Sequence, residues 1–465
     1  MATSSIQIVQ GSSALPGQVP EKWNTLRVLK LSRAAVLTLD LLLLLAVVLG
    51  ARVHRGAMQT VGKDSAPSII AAQHIKSALA DMDANAANEL LGPSGTMQDA
   101  VAAYESRRVE ASKALIAAAE NITYGDSERK PILALQVGLG SYERLIQKAR
   151  DGHESGSSGT AVAAYLDSAA LMDGVLLPAA DALDQANNQV LEHTYESQSS
   201  RSVAARVFVL IAGVLALLAL AAVQLLLSDR MHRTFNPALL CATLFTLVLT
   251  VYAWQAMERE RHQLKVAKED AFTSIHALWR ARAIAYQANG DESRYLLDAA
   301  NTQRHEDAFF AKSASLASLP SDRSLEQVMA ALRRGAHVNG FTGLLADELN
   351  NITFDGERDA AIQSFAAWED YLTVDAKIRQ FQRQGQTHQA IDLCLGNAQG
   401  QSNWAFDRFD RALLATLEIN QRAFDTSVDK GLSAVGALEL EALAAAIVIA
   451  LLCIAGMAPR IREYA

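Results

Sequence analysis

Asp40 carries the most demanding position in this sequence. It lies inside the apolar run that contains LLLLLAVVLG, where an ionisable side chain is costly and marks a functional contact by default. Gln224 lies near the far end of the next apolar run. If the two runs are antiparallel helices, both side chains fall at a similar depth, roughly 9 Å below one face at about 1.5 Å per residue. The expectation is a hydrogen bond between Asp40 and Gln224 that fixes helix packing, worth on the order of 1 kcal/mol. The competing reading is a carboxylate that snorkels towards Arg230. Elsewhere, Tyr142 and Arg150 recur as Tyr371 and Arg379 at the same spacing. Such pairs either line a ligand groove or pack across the seam of a helix bundle. Asn121-Ile-Thr and Asn351-Ile-Thr satisfy the N-x-T sequon. Each falls at a predicted helix end, where Asn and Thr satisfy open backbone groups. Glu439 and Glu441 border the last apolar run and read as solvated interfacial carboxylates.

Catalytic patterns are missing from the sequence. It has no HExxH, no Walker loop, no GxGxxG after a strand and no GxSxG elbow. No metal, cofactor or enzymatic reaction is expected. Three cysteines make neither a disulfide framework nor a four-Cys zinc site. Cys241 and Cys453 fall in apolar runs, which leaves Cys394 as the one candidate exported thiol. A net charge of −8 argues against a nucleic-acid partner, because neutralising phosphates takes a basic surface.

The elements that hold these residues follow from composition. The chain has 465 residues, of which 50% are hydrophobic and 20% charged. The mean hydropathy of +0.09 averages long apolar runs with polar, Ala-rich stretches. Residues 34–53, 203–227, 237–254 and 434–457 are each long and apolar enough to span a bilayer. The first run starts too far in, and is too long, for a cleavable signal peptide, so it reads as a retained anchor. Short basic segments carry Lys22, Arg27, Lys30 and Arg33 before the first span, Arg230 and Arg233 between the second and third, and Arg460 and Arg462 after the fourth. Arg52, Arg55, Arg201, Arg259 and Arg261 flank the other side, but short segments weigh more than long domains in setting orientation. The expectation is a multi-pass protein of a bacterial inner membrane. Its tails 1–33 and 458–465 and its loop 228–236 would be cytoplasmic, and its domains 54–202 and 255–433 exported.

Both domains read as helical, since apolar positions recur at helical spacing and few runs alternate at period two. In the first, periodic segments cover 64–91, 100–122, 130–149 and 159–192, the last running into the second span. Four antiparallel helices with both ends at the membrane make an up-down bundle. The second domain repeats the wording. Asn121-Ile122-Thr123-Tyr124 matches Asn351-Ile352-Thr353-Phe354, and Glu128-Arg129 matches Glu357-Arg358. Tyr142, Lys148 and Arg150 match Tyr371, Lys377 and Arg379, and Asn85 with Leu90-Leu91 resembles Asn289 with Leu296-Leu297. The expected fold is an all-α membrane protein of four transmembrane helices and two exported four-helix bundles in tandem duplication.

The segments ADMDANAANELLG, YESRRVEASKALIAAAE, AAYLDSAALMDGVLLPAAD and NWAFDRFDRALLATLEINQRAFD resemble the GlnX-like four-span membrane proteins of actinobacteria. These are encoded beside an exported amino-acid-binding lipoprotein and a soluble Ser/Thr protein kinase. The resemblance covers nearly the whole chain, through helix-packing words and not catalytic ones. It implies that the exported domains receive a ligand-loaded solute-binding protein. It also implies that the cytoplasmic loop and tails contact a Ser/Thr kinase. More distantly, the layout resembles the four-helix sensor domains of chemoreceptors.

The function expected is therefore a signal-transducing receptor or adaptor in membrane lipid, without catalysis. Binding outside would shift helices by roughly 1–2 Å, and the loop with Arg230 and Arg233 would present the change to a cytoplasmic partner. A homo-oligomer is compatible with this layout. The competing expectations are a transport or envelope-assembly scaffold, which the scarcity of polar residues in the spans disfavours, and an anchored enzyme, which no motif supports.

Overall fold

A computed structural model describes residues 21–231 and 236–463. Among them every regular element is helical, apart from one antiparallel bridge between Ser318 and Thr342. α1 (Glu21–Gln59) widens into a π-helical stretch (Thr60–Ser65) and continues as α2 (Ala66–Leu91). α3 (Gln98–Glu120) and α4 (Asp126–Glu154) follow. α5 (Ser158–Leu171) passes through a second π stretch (Met172–Leu176) into α6 (Leu177–Met231). α7 (Pro237–Lys265) passes through a third (Val266–Phe272) into α8 (Thr273–Leu297). Then come α9 (Thr302–Leu316), α10 (Leu325–Arg333), α11 (Leu344–Asn350), α12 (Glu357–Arg383) and α13 (Thr387–Leu395). α14 (Ser402–Gly436) and α15 (Leu438–Glu463) close the chain. Two of the π stretches immediately precede the first turn of a helix that contains proline, Pro67 or Pro178. Proline lacks an N–H and its ring clashes with a carbonyl one turn back, so a widened turn there relieves both problems.

Four helices are long and apolar enough to cross a membrane: Thr25–Leu91, Ser158–Asp229, Pro237–Leu297 and Ser402–Glu463. Their apolar parts make up one structural unit, drawn from the chain up to Val53, Ser202–Glu258 and the chain from Val435. Its inside holds Leu29, Val36, Leu43, Leu220, Leu249 and Cys453. Its outside is also apolar, with Leu41, Phe208, Leu218, Leu225, Leu244 and Leu451 about half exposed or more. Apolar on both faces is what lipid requires, since a helix already satisfies its own backbone. Small residues set the packing. A Cβ on Gly213 would collide with the Thr250 side chain, so α6 and α7 approach there without room for a methyl. Glu439 and Glu441 are not simply solvated: Arg52 stands 3.6 Å from Glu439, and Tyr252 donates to Glu441 at 2.7 Å.

The second unit comprises His54–Arg201 and Arg259–Ala434. The two polar segments thus share one body. α2 and α8 run through its middle, and 18 of the 25 residues of α8 are buried. Alanines at 72, 78, 80, 84, 86 and 87 give α2 a thin profile. A Cβ on Gly290 would stand 3.7 Å from Cα of Ala84, which is how closely the two helices meet. Around the pair, α3 to α6 complete the first half. In the second half, the expected second helix is instead three short ones, α9, α10 and α11. Pro320 and the glycines at 335, 340 and 343 break the path. Gly343 has φ 107°, and a Cβ there would meet the Leu316 carbonyl oxygen at 2.6 Å, so no other residue fits. α10 restarts on a capping box between Ser324 and Gln327.

The two Asn-Ile-Thr turns carry the same hydrogen bonds. Buried Glu128 accepts from the Thr123 and Tyr124 amides at 2.8 and 2.6 Å. Buried Glu357 accepts from the Thr353 and Phe354 amides at 2.7 and 2.9 Å. Asn121 donates to Ser68 at 2.7 Å and Asn351 to Ser274 at 2.9 Å, each tying its turn to the central helix of its half. A second pair of matching contacts joins that helix to the last one: Lys76 to Asp181 at 2.6 Å, and Arg282 to Asp410 at 2.7 Å.

Candidate functional site: two polar clefts in the helical unit

The seam between α2 and α8 is charged. Arg294 of α8 donates to Asp83 of α2, to the Tyr165 hydroxyl at 3.0 Å and to Asp291 at 2.9 Å. Tyr142 donates to the other Asp83 oxygen at 3.1 Å. Ser293 donates to Asn88 at 2.5 Å, and Arg282 donates to Ser77 at 2.9 Å. Each of these contacts except Tyr142–Asp83 and Arg294–Asp291 joins the first half to the second. Burial pushes the Asp83 carboxyl up, against the pull of Arg294. An ion pair this deep survives because every charged oxygen has a donor.

Two clefts open on either side of this seam. The first, of 320 Å³, takes Asn85 and Asn88 from α2, Asp99, Ala100, Ala103 and Arg107 from α3, and Leu395 and Asn403 from the second half. The second, of 420 Å³, takes Asp291 and Arg294 from α8, Arg304, His305, Ala308 and Lys312 from α9, and Leu166 and Gly174 from the first half. The spacing is the same in each set. Each half thus lends the same positions to its own cleft and to its neighbour's. The chemistry differs. The second cleft is ionic, with Lys312 paired to Asp291 and His305 to Asp298 at 3.0 Å. In the first, amides stand at the positions of Asp291 and Arg294.

The walls of the first cleft are fixed by their own bonds. Asp81 accepts from Arg107 and, at 2.6 Å, from Asn85. Burial pushes the Asp81 carboxyl up to about 6, with Arg107 and Arg282 pulling the other way. Tyr286 and Phe406 meet edge to face, 4.9 Å between centroids, and close the inner end. Behind it, buried Glu292 accepts from Ser402 at 2.5 Å and from Cys394 at 3.5 Å. Burial, and then the neighbouring Asp375, push the Glu292 carboxyl up. Glu292 is buried and lines neither cleft.

The residues singled out by sequence lie elsewhere. Tyr142 and Tyr371 are fully buried, with Tyr371 accepting from Asn289 at 3.4 Å. Arg150 makes a two-pronged contact with Glu89 at 2.8 and 2.9 Å and covers the Tyr104 ring. Arg379 bonds Asp375 at 2.8 Å inside a cage of Tyr295, Phe309 and Phe310. These four pack in the seams of each half, and none lines either cleft. The Asp40–Gln224 hydrogen bond is not formed. Gln224 donates to Thr243 at 2.9 Å, on the adjacent α7, while Oδ1 of Asp40 has no partner. The Thr243 hydroxyl takes the amide nitrogen that the pairing would have used. The Arg230 side chain and Arg233 lie outside the described residues. By hydrogen bonding, Asn289 corresponds to Asp83, each meeting the matched tyrosine, and not to Asn85 as the wording suggests. The clefts escaped sequence reasoning, although the shared spacing of Asp99 to Arg107 and Arg304 to Lys312 is a signal that could have found them. Among the described residues no cluster of His, Cys, Asp and Glu is arranged to hold a metal.

No curated protein and no solved structure matches the chain. Residues 57–196, which supply Asp81, Asn85, Asn88, Asp99 and Arg107 of the first cleft and Asp83 of the seam, match the family model described as "Actinobacterial sensor domain", so this part of the chain is similar to the sensor domains of actinobacteria.

Proposed function

We propose that the chain is a non-catalytic membrane receptor that passes a solute signal from outside the cell to a cytoplasmic partner. The observation that carries this reading is helix continuity: each of the four apolar helices runs on as a helix of the second unit. The match of residues 57–196 to a sensor family supports it. A ligand that favours one arrangement of the halves does so by its differential affinity. Helix shifts of roughly 1–2 Å are the currency of such relays. In this reading the second unit is exported and the termini and loop 228–236 are cytoplasmic, in a bacterial inner membrane. Arg230 and Arg233 meet the partner. The GlnX-like resemblance supplies the partner classes: an exported solute-binding protein on one side and a Ser/Thr kinase on the other. The matched turns and the matched Lys76–Asp181 and Arg282–Asp410 contacts support descent of the two halves from one duplicated unit.

In-cell crosslinking, purification from membranes and mass spectrometry test the relay. Recovery of an exported binding protein with a cytosolic kinase is the expected result. Recovery of permease subunits or envelope machinery alone would instead make this chain a transport or assembly scaffold.

A further inference from the structure

The first cleft is rich in hydrogen-bond acceptors. Asn85 donates its amide nitrogen to the Asp81 carboxylate and carbonyl, and Asn403 donates its own to the Leu395 carbonyl at 2.9 Å. These partners accept only, so both amide oxygens are fixed as the unbonded ends. Buried Asn289 lies 3.4 Å from the Tyr371 hydroxyl and lines the same wall. Asp99 and Asp407 add carboxylates. Asp407 shares one oxygen with Arg411 at 2.8 Å. Against these stand the Asn88 amide nitrogen, left as a donor because its oxygen accepts from Ser293, and one cation in the lining, Arg107, already held by Asp81 and by Glu110 at 2.7 Å. An acceptor-rich, net-acidic cleft of this size selects a small donor-rich cation. An ammonium group brings three donors and a positive charge.

We propose that the cleft lined by Asp81, Asn85, Asp99, Asn289, Asn403 and Asp407 binds a small solute through an ammonium group. The inference rests on the sensor reading and gives it a ligand class. It holds whether the solute arrives free or is handed over by a binding protein. The second cleft, with Arg294, Arg304 and Lys312 in its lining, lacks this acceptor excess. The two clefts of one duplicated frame have diverged in charge.

The test is calorimetric titration of the full chain in detergent with putrescine, lysine, glutarate and glucose. Binding of putrescine or lysine is expected, with neither glutarate nor glucose matching it. Asp99→Asn combined with Asp407→Asn, both at exposed positions, weakens amine binding at least ten-fold. Ala103→Trp, which fills the cleft without touching its charge, abolishes it. Asp322→Asn, an exposed acid outside the cleft, changes nothing. Thermal unfolding confirms that each variant is folded. The proposal is overturned if neither amine binds, if glutarate or glucose binds more tightly, or if amine binding survives both cleft variants. This assay involves no partner. A null result beside a captured kinase sinks only the ligand class, and amine binding without any signalling partner sinks only the relay.

Discussion

Arg294 and Asp83, 211 positions apart in sequence, form a buried ion pair between α8 and α2. Because Arg294 also holds Tyr165 and Asp291, and Asp83 also holds Tyr142, one salt bridge gathers both halves of the helical unit. Removing a single partner strands a buried charge, at a cost of about 3–5 kcal/mol. Asp83→Leu and Arg294→Met each lower the melting temperature of the full chain in detergent. The double change Asp83→Leu with Arg294→Met recovers much of the loss. Additive losses in the double-mutant cycle would show that the pair is not coupled.

Asp81 gives the helical unit a pH dependence. Its carboxyl rises from 3.8 to about 6 on burial. The folded chain therefore binds this proton more tightly than the unfolded chain does. Its contribution is fully present below the lower value and is lost as pH climbs through the upper one. Burial shifts Glu292 and Glu348 in the same direction. Asp81→Asn keeps the shape and cannot ionise. Between pH 4 and pH 6, wild type loses stability relative to this variant, by up to about 3 kcal/mol at about 1.4 kcal/mol per pKa unit. Melting temperatures of the two proteins, measured side by side across that range, decide it; parallel curves would refute the burial argument.

The two Asn-Ile-Thr turns provide a matched pair. Glu128→Ala and Glu357→Ala each strip the acceptor from two backbone amides. Each costs about 1–3 kcal/mol locally. Hydrogen exchange read by mass spectrometry accelerates at 123–124 in the first variant and at 353–354 in the second, by similar factors. A response at one turn only would break the equivalence.

Gly213 sets the approach of α6 to α7. A methyl group there would meet Oγ1 and Cγ2 of Thr250 and stand only 2.9 Å from its Cβ, so rotating the threonine does not clear the space. Gly213→Leu forces the helices apart and costs about 1–3 kcal/mol. A lower melting temperature in detergent, with Gly436→Leu as an open-space control, is the expected outcome. Equal behaviour of the two variants would remove the close contact from consideration.

Much of this architecture can be read from the letters, and the reasons differ by element. The four apolar helices stand out because lipid demands long runs without charge. The turns at Asn121 and Asn351 stand out because a turn is a local structure whose letters sit together. The seam does not, since Asp83 and Arg294 have no local signal that they meet. Neither does the fate of Gln224, because α1 and α7 both offered a polar partner and only geometry chose Thr243. The splitting of the helix after Asn301 was written in Pro320 and three following glycines, but a four-helix template hid it. Tyr142 and Arg379 drew attention as large groups that recur. Their recurrence reflects packing, and the cleft walls were built from smaller and quieter residues, asparagine above all.

The π stretches at Thr60–Ser65 and Val266–Phe272 matter to anyone who splices these helices. A widened turn accommodates an extra residue, and one residue turns a helix face by about 100°. The side of α1 that faces its neighbours and the side of α2 that faces α8 are therefore out of phase with any uninterrupted periodic template. A chimera joined before Thr60 inherits the native phase, whereas one joined after Ser65 to a plain α-helix presents the wrong side of the graft. The same arithmetic makes these stretches the places where relatives can gain or lose a residue without unpacking either end, so an alignment that forbids gaps inside long helices will misplace every contact beyond them.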